Sequence, residues 1–129
     1  MTVTYKVEVD EDGNTFWYNQ QGKLHREGGL SAVEYADGAK AWYVNGQLHR
    51  EGGLPAFESV NGSKEWWVNG KQHREGGLPA VERANGSKVW WVNGHHVTEE
   101  QAKAMFNKPT CNGKVVEIDG KKFKLTEIT

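Results

Sequence analysis

Residues 41–64 read AWYVNGQLHREGGLPAFESVNGSK, and residues 65–88 repeat them as EWWVNGKQHREGGLPAVERANGSK. The pattern starts again at residue 89 with VWWVNGHHV and then stops. Upstream, residues 16–40 read FWYNQQGKLHREGGLSAVEYADGAK, a degraded copy with one extra residue around Gln20. Trp17, Trp42, Trp66 and Trp90 therefore hold equivalent places, as do His25, His49 and His73. A fixed period of this size marks a stacked array in which each unit buries a face against its neighbour.

Each unit carries two reversal signals. Asp37-Gly38, Asn61-Gly62 and Asn85-Gly86 form one series, with Asp12-Gly13 ahead of it; Asn45-Gly46, Asn69-Gly70 and Asn93-Gly94 form the other. Asn-Gly and Asp-Gly tolerate the two positive φ angles of a type I′ turn, whose twist suits paired strands. The stretch from Arg50 to Pro55 is a wider Gly-Gly corner, and Pro55 and Pro79, which lack an amide, belong where a strand begins. The expected fold is mainly β: an antiparallel meander of 24-residue hairpin repeats in a twisted or curled sheet. Residues 1–97 would form the array and residues 98–129 a helix-plus-hairpin cap folded as one unit with it.

Two-residue turns fix register. If all the reversals are of that kind, Phe57 faces Trp66, Ala56 faces Trp67 and Val60 faces Ser63. Beyond the second turn, Val68 faces Lys71, Trp67 faces Gln72, Trp66 faces His73 and Glu65 faces Arg74. The expected interior is then Phe57, Trp66, Val68 and His73, with Val33, Trp42, Val44, His49, Val81, Trp90 and Val92 as counterparts. The other face carries Ala56, Glu58, Glu65, Trp67 and Arg74, and one unit earlier Ala32, Glu34, Tyr43, Leu48 and Arg50. On that face Tyr18, Tyr43, Trp67 and Trp91 make an aromatic stripe among charges, a signal of a binding surface.

After the array, Thr98 and Gln101 form a Thr-x-x-Gln capping box, and Glu99 and Glu100 suit the positive end of a helix. Ala102, Ala104, Met105 and Phe106 extend it to about three turns, ended before Pro109. A last hairpin turns at Asp119-Gly120, with Val115, Glu117, Phe123 and Leu125 as partners across it, and the two elements would cover an otherwise open sheet edge.

Bulk properties narrow the function classes. With its 16 glycines the apolar fraction is roughly 48%, an ordinary globular value, so disorder is not expected. A net charge of −1 argues against a nucleic-acid binder. No apolar run follows Met1 and no long apolar stretch suits a membrane span, so neither secretion nor membrane insertion is expected. The single cysteine, Cys111, fits a reducing compartment, and the expected location is the cytoplasm.

Candidate chemistry is sparse. His25, His49 and His73 lie at least two strands apart, ~10 Å at ~4.8 Å per strand, too far to share a zinc ion. The reading for them is a ring stacked on the facing tryptophan and bonded to the Gly-Gly corner. His95 and His96, adjacent on a strand, point to opposite faces. Glu34, Glu58 and Glu82 repeat in identical surroundings, unlike a catalytic pair, whose environments must differ. Arg50 and Arg74 suit ion pairs with these carboxylates, across Ala41 or against Glu65, or else an anion or partner. Cys111 has no Cys-His signature nearby, and no phosphate loop, GxSxG or HExxH motif occurs. No catalytic residue, metal or cofactor is expected; the binding candidates are Tyr18, Tyr43, Trp67, Trp91, Arg50, Arg74 and Glu58.

The unit W-[YW]-V-N-G-x-x-H-R-E-G-G-L-P-A-x-E resembles a repeat of small tailed-phage and giant-virus proteins with a W-Y-x-N-G-x-x-H-R-x-D-G-P-A core. The likeness covers roughly residues 16 to 97; Gly-Gly-Leu-Pro replaces Asp-Gly-Pro, so the corner is one residue longer here. The tail from Val97-Thr98-Glu99-Glu100 to IDGKKFKL also looks like the close of small phage proteins. More distantly the unit is similar to MORN-type hairpin repeats and, through its aromatic pair before Asn-Gly, to choline- and glucan-binding repeats. The resemblance implies a phage-encoded accessory protein in the host bacterial cytoplasm. The expected function is a non-enzymatic interaction module that binds and modulates or inhibits a host protein, with anti-phage defence proteins as a target class. Two alternatives are a small-ligand binder taking a carbohydrate, choline-like cation or nucleotide signal on the aromatic stripe, and a self-assembling structural protein that forms a homo-oligomer.

Overall fold

The computed structural model describes residues 6–106, 114–118 and 121–126, with side chains described through Phe106. The chain enters through β1 (Lys6–Val9) and β2 (Thr15–Tyr18). The next unit supplies β3 (Val33–Glu34), β4 (Lys40–Ala41), β5 (Tyr43–Val44) and β6 (Gln47–Leu48). One period later come β7 (Phe57–Glu58), β8 (Lys64–Glu65), β9 (Trp67–Val68) and β10 (Lys71–Gln72). The last period holds β11 (Val81–Glu82), β12 (Lys88–Val92) and β13 (His95–Val97). After them lie α1 (Glu99–Phe106), β14 (Lys114–Ile118) and β15 (Lys121–Thr126).

The fold is the expected one: antiparallel strands joined by tight reversals, with one short helix toward the C-terminal end. It is built as two ladders. One is a nine-stranded sheet in the order β1-β2-β3-β4-β7-β8-β11-β12-β13. The other is a set of two-stranded hairpins, β5-β6 and β9-β10, that leave this sheet. The departure occurs at the tryptophan: the Trp42 amide still donates to Ala56, and its carbonyl then accepts from His49 to start the hairpin. Trp66 repeats this with Ala80 and His73. Successive hairpins are tied together, because the turn amides of Gly46, Gly70 and Gly94 donate to Leu24, Leu48 and Gln72 of the preceding one.

The two reversal series differ, and this corrects the expected register. At Asn45, Asn69 and Asn93 φ is +51 to +52°, and the following glycines are also positive, as a type I′ turn requires. At Gly38, Gly62 and Gly86 only the glycine is positive. The Ser59 amide donates to the Ser63 carbonyl, and the Gly62 amide donates to the Ser59 carbonyl, which makes a three-residue loop closed by a left-handed glycine. Asn61 accepts the Ser63 amide at 2.9 Å through its own side chain, and Asp37 and Asn85 accept from Ala39 and Ser87 alike. That bond holds the residue before glycine out of the left-handed region. The loop is one residue longer than a type I′ turn, so Phe57 faces Glu65 and Glu58 faces Lys64; neither Phe57–Trp66, Ala56–Trp67 nor Val60–Ser63 pairs. The pairs Val68–Lys71 and Trp67–Gln72 stand as expected.

The core also differs from expectation. Ala32 and Ala56, expected on the outer face, are wholly buried, as is Ala80, and Val44, expected inside, is exposed. Trp42 and Trp66 are buried as expected, together with Val33, Val81, His25 and His73. Across the large sheet the glutamates now face lysines: Glu34 pairs with Lys40, Lys40 with Glu58, Glu58 with Lys64 and Lys64 with Glu82. Opposite charges at facing positions favour this register by a few tenths of a kcal/mol each, on the order of 0.2–1.

The capping box forms reciprocally: the Thr98 amide donates to Gln101 Oε1 and the Gln101 amide to Thr98 Oγ1, at 2.9 and 3.0 Å. The helix covers eight described residues, Glu99–Phe106. It packs on the last unit through buried Ala102. In β14-β15, Val115 and Glu117 pair with Lys124 and Lys122, not with Leu125 and Phe123, and the register shifts between Lys114 and Val115. The stop at Pro109, the thiol of Cys111 and the turn at Asp119-Gly120 lie outside the described residues.

Candidate functional site

The HREGG corner assembles the same contacts at 24-residue intervals. The Nε1 of Trp42, Trp66 and Trp90 donates to the carbonyls of Gly29, Gly53 and Gly77, at 3.0, 2.9 and 3.0 Å. Each arginine lies over the tryptophan of its own unit, with Cζ 3.8, 3.7 and 3.7 Å from the ring centre for Arg26 on Trp17, Arg50 on Trp42 and Arg74 on Trp66. The same guanidinium donates to a glutamate eight residues on. Arg26 reaches Glu34 at 3.3 Å, Arg50 reaches Glu58 at 3.2 Å and Arg74 reaches Glu82 at 3.0 Å. It also donates to the carbonyl of Ser31, Pro55 or Pro79. The ion pair is therefore closed within the corner rather than across Ala41 or against Glu65. The arginine's charge is thus met by its own glutamate and its guanidinium is held against the indole, with both hydrogen bonds leaving from Nη1.

The histidines are wired differently from expectation. Nδ1 of His25, His49 and His73 accepts the amide of Asn45, Asn69 and Asn93 of the following hairpin, at 3.0 Å each. An amide can only donate, so Nδ1 carries no proton and the ring is neutral, with its hydrogen on Nε2. Nε2 then donates to Glu27, Glu51 or Glu75 at 2.6, 2.5 and 2.5 Å. Arginine, not histidine, stacks on the tryptophan, and the tryptophan, not the histidine, bonds the Gly-Gly corner. Beyond the last hairpin no further unit follows, and Phe106 of α1 packs edge-on against His73 with ring centres 6.1 Å apart.

Once these polar groups are satisfied, a furrow remains between the corners and the hairpins. One stretch, about 320 Å³, is lined by Leu30, Trp42, Tyr43, Val44 and Leu54. The next, about 680 Å³, is lined by Leu54, Trp66, Trp67, Val68, Leu78 and Phe106. They adjoin, since His49, Arg50, Glu51 and Leu54 line both. Leu30, Leu54 and Leu78 are 52, 49 and 49% exposed, a large apolar contribution from each corner held in solvent. A third cleft of about 500 Å³ lies between neighbouring hairpins, against Trp67, Trp91, Lys71 and His95.

Of the expected binding residues, Tyr43 and Trp67 face the furrow and Trp67 and Trp91 share the third cleft. Trp91 is also packed on His96 at 5.3 Å, and Trp67 Nε1 donates to Glu65 at 3.0 Å. Tyr18 stands apart, paired with Lys6 on the edge strand. Burial and the Glu8 carboxylate at its hydroxyl raise its pKa, while the Lys6 ammonium lowers that of Glu8. Tyr43 is raised as well, by burial first and then by Tyr35. Arg50, Arg74 and Glu58 are brought together, but as the internal ion pairs of the corners. The leucines were missed by sequence reasoning, although their recurrence directly after each Gly-Gly was a usable signal.

Among the described residues no cluster of three or more His, Cys, Asp or Glu side chains could hold a metal ion, and no helix is long and apolar enough to cross a membrane. No family model, curated protein or solved structure matches the chain.

Proposed function

We propose that the chain is a non-enzymatic protein-interaction module whose binding surface is the furrow floored by Tyr43 and Trp67 and edged by the corner leucines. The observation that carries this reading is a division of labour within the repeat. Its tryptophan, histidine, arginine and glutamate side chains are engaged within and between the corners, whereas its leucines stand in solvent beside half-buried second aromatics. Exposed apolar side chains beside large aromatics are what a partner's side chains bury against. The resemblance to phage repeat proteins makes a host bacterial protein the expected partner and its inhibition or modulation the expected effect, with defence proteins as the target class.

The test is a paired Tyr43→Ala, Trp67→Ala variant, which alters both stretches of the furrow. Both residues are half-buried rather than core, so circular dichroism should stay unchanged while capture of a host protein is lost. Capture equal to that of the unaltered chain would overturn the reading.

A second reading draws on the cleft between Trp67 and Trp91, whose volume of about 500 Å³ suits a small ligand. A carbohydrate, choline or nucleotide present at 100 times its dissociation constant would add ~2.7 kcal/mol of stability. The absence of any thermal shift across such a panel would remove this reading.

A further inference from the structure

We infer that the furrow takes an extended, proline-rich segment of left-handed threefold helix carrying basic side chains, presented by the partner. The inference rests on the interaction reading above and names the chemistry of what binds.

Spacing makes the first argument. Each unit adds two strands to the large sheet, and each hairpin is bonded to the one before. Equivalent side chains therefore recur every ~9.6 Å, at ~4.8 Å per strand. Polyproline helix has three residues per turn and rises ~3.1 Å per residue, so it presents the same face every ~9.3 Å. Over the two steps from Leu30 to Leu78 the mismatch is ~0.6 Å. A heptad of α-helix advances ~10.5 Å and would drift by ~1.8 Å over the same distance. An ordinary β-strand returns its face every ~6.8 Å and falls out of step at once.

Charge makes the second argument. Arg50 and Arg74 are neutralised by Glu58 and Glu82. The remaining carboxylates of the corners, Glu51 and Glu75, are bonded only to neutral histidines, and their side chains are 89 and 76% exposed. The furrow therefore combines an aromatic and aliphatic floor with a rim on which the glutamates are the most exposed charges, while the arginines that also line it are mostly covered. Aromatic-lined grooves hold polyproline segments, and complementary charge fixes their register. Addition of a strand is disfavoured on the hairpin wall, because the Gly46, Gly70 and Gly94 amides are already bonded to the previous hairpin.

The experiment is fluorescence anisotropy of the full chain with labelled peptides. A Pro-Pro-Arg repeat should bind and weaken with salt. A Pro-Pro-Glu repeat, and a Pro-Pro-Pro-Arg repeat whose period is broken, should each bind at least about tenfold more weakly. Leu54→Glu should reduce Pro-Pro-Arg binding by a similar factor. The pair Glu51→Gln, Glu75→Gln, which keeps an acceptor for each histidine, should reduce both the binding and its salt dependence. Equal binding of the two arginine peptides, or binding that survives Leu54→Glu, would overturn the inference. So would tighter binding of a lysine-leucine heptad helix of equal charge, though the furrow would remain a docking site. If no peptide binds while the Tyr43, Trp67 double variant still loses partner capture, the inference fails and the interaction reading stands. If capture also persists, both fail.

Discussion

Asn61-Gly62 and Asn69-Gly70 are the same dipeptide eight residues apart, and they turn the chain in two different ways. At Asn69 both residues are left-handed and the turn has two residues; at Asn61 only the glycine is, and the loop has three. The difference lies in what each asparagine touches. The Asn69 amide is taken by His49 and the Gly70 amide by Leu48, both from the preceding hairpin. Asn61 instead spends its side chain on the Ser63 amide two residues on. The left-handed and right-handed states of asparagine differ by only about 1–2 kcal/mol, so one neighbouring hydrogen bond selects between them. A reversal signal thus marks where the chain turns, and its surroundings decide how many residues the turn takes.

The comparison breaks most sharply at the histidine. His73→Ala should lower stability by about 2–4 kcal/mol in urea unfolding, since it leaves the Asn93 amide without its acceptor and removes a buried ring from Phe106. Asn85→Ala, at the equivalent three-residue loop, should lower it by only about 0.5–1.5 kcal/mol. Similar losses for the two would mean that the type I′ turn stands without its neighbour.

A glycine exchange gives a smaller and more diagnostic effect. Asn69→Gly should be near neutral, because the native φ there is one that glycine adopts freely. Asn61→Gly loses the side-chain bond and gains unfolded-state freedom, costing about 1 kcal/mol. Thermal unfolding of the two variants side by side checks the sign; the reverse order would refute the assignment of the turns.

The smallest effect is on the alkaline limb. Tyr43, on the first strand of a type I′ hairpin, has its pKa raised above 10.0 by burial and then by Tyr35. A raised pKa means that the folded state holds the proton more firmly. The contribution is complete below the unfolded value and fades as pH climbs through the folded one. Tyr43→Phe should therefore flatten the loss of stability above pH 10.0 and leave neutral pH nearly unchanged. An unaltered alkaline limb would place that loss elsewhere.

Much of the molecule was legible before any coordinates. The antiparallel strands, the positions of the reversals, the buried Trp42 and Trp66 and the Thr98–Gln101 box follow from glycine conformational freedom, strand patterning and capping chemistry. The faces were not fully legible. One extra loop residue at Gly62 moves Phe57 from opposite Trp66 to opposite Glu65, and Ala56 is inside, while Val44 is exposed on a hairpin that has left the large sheet. The first copy shows the same sensitivity. Its extra residue is absorbed because Asn19 closes a longer loop with bonds to Gln21 and Lys23, and then reaches Asn45 of the next hairpin at 2.8 Å. The site was legible in part. Tyr43, Trp67 and Trp91 were visible as a stripe, but the leucines were not, since nothing local says that a residue after Gly-Gly stays in solvent.

By itself the sequence determined the period, the places where the chain reverses and the set of side chains each unit brings. Only the tertiary structure decided the turn types, the register and hence which aromatics are core and which are surface. The physical reason is one of scale: local preferences at an Asn-Gly pair are worth about 1 kcal/mol, while a neighbouring unit supplies hydrogen bonds of comparable strength together with the burial of a whole tryptophan.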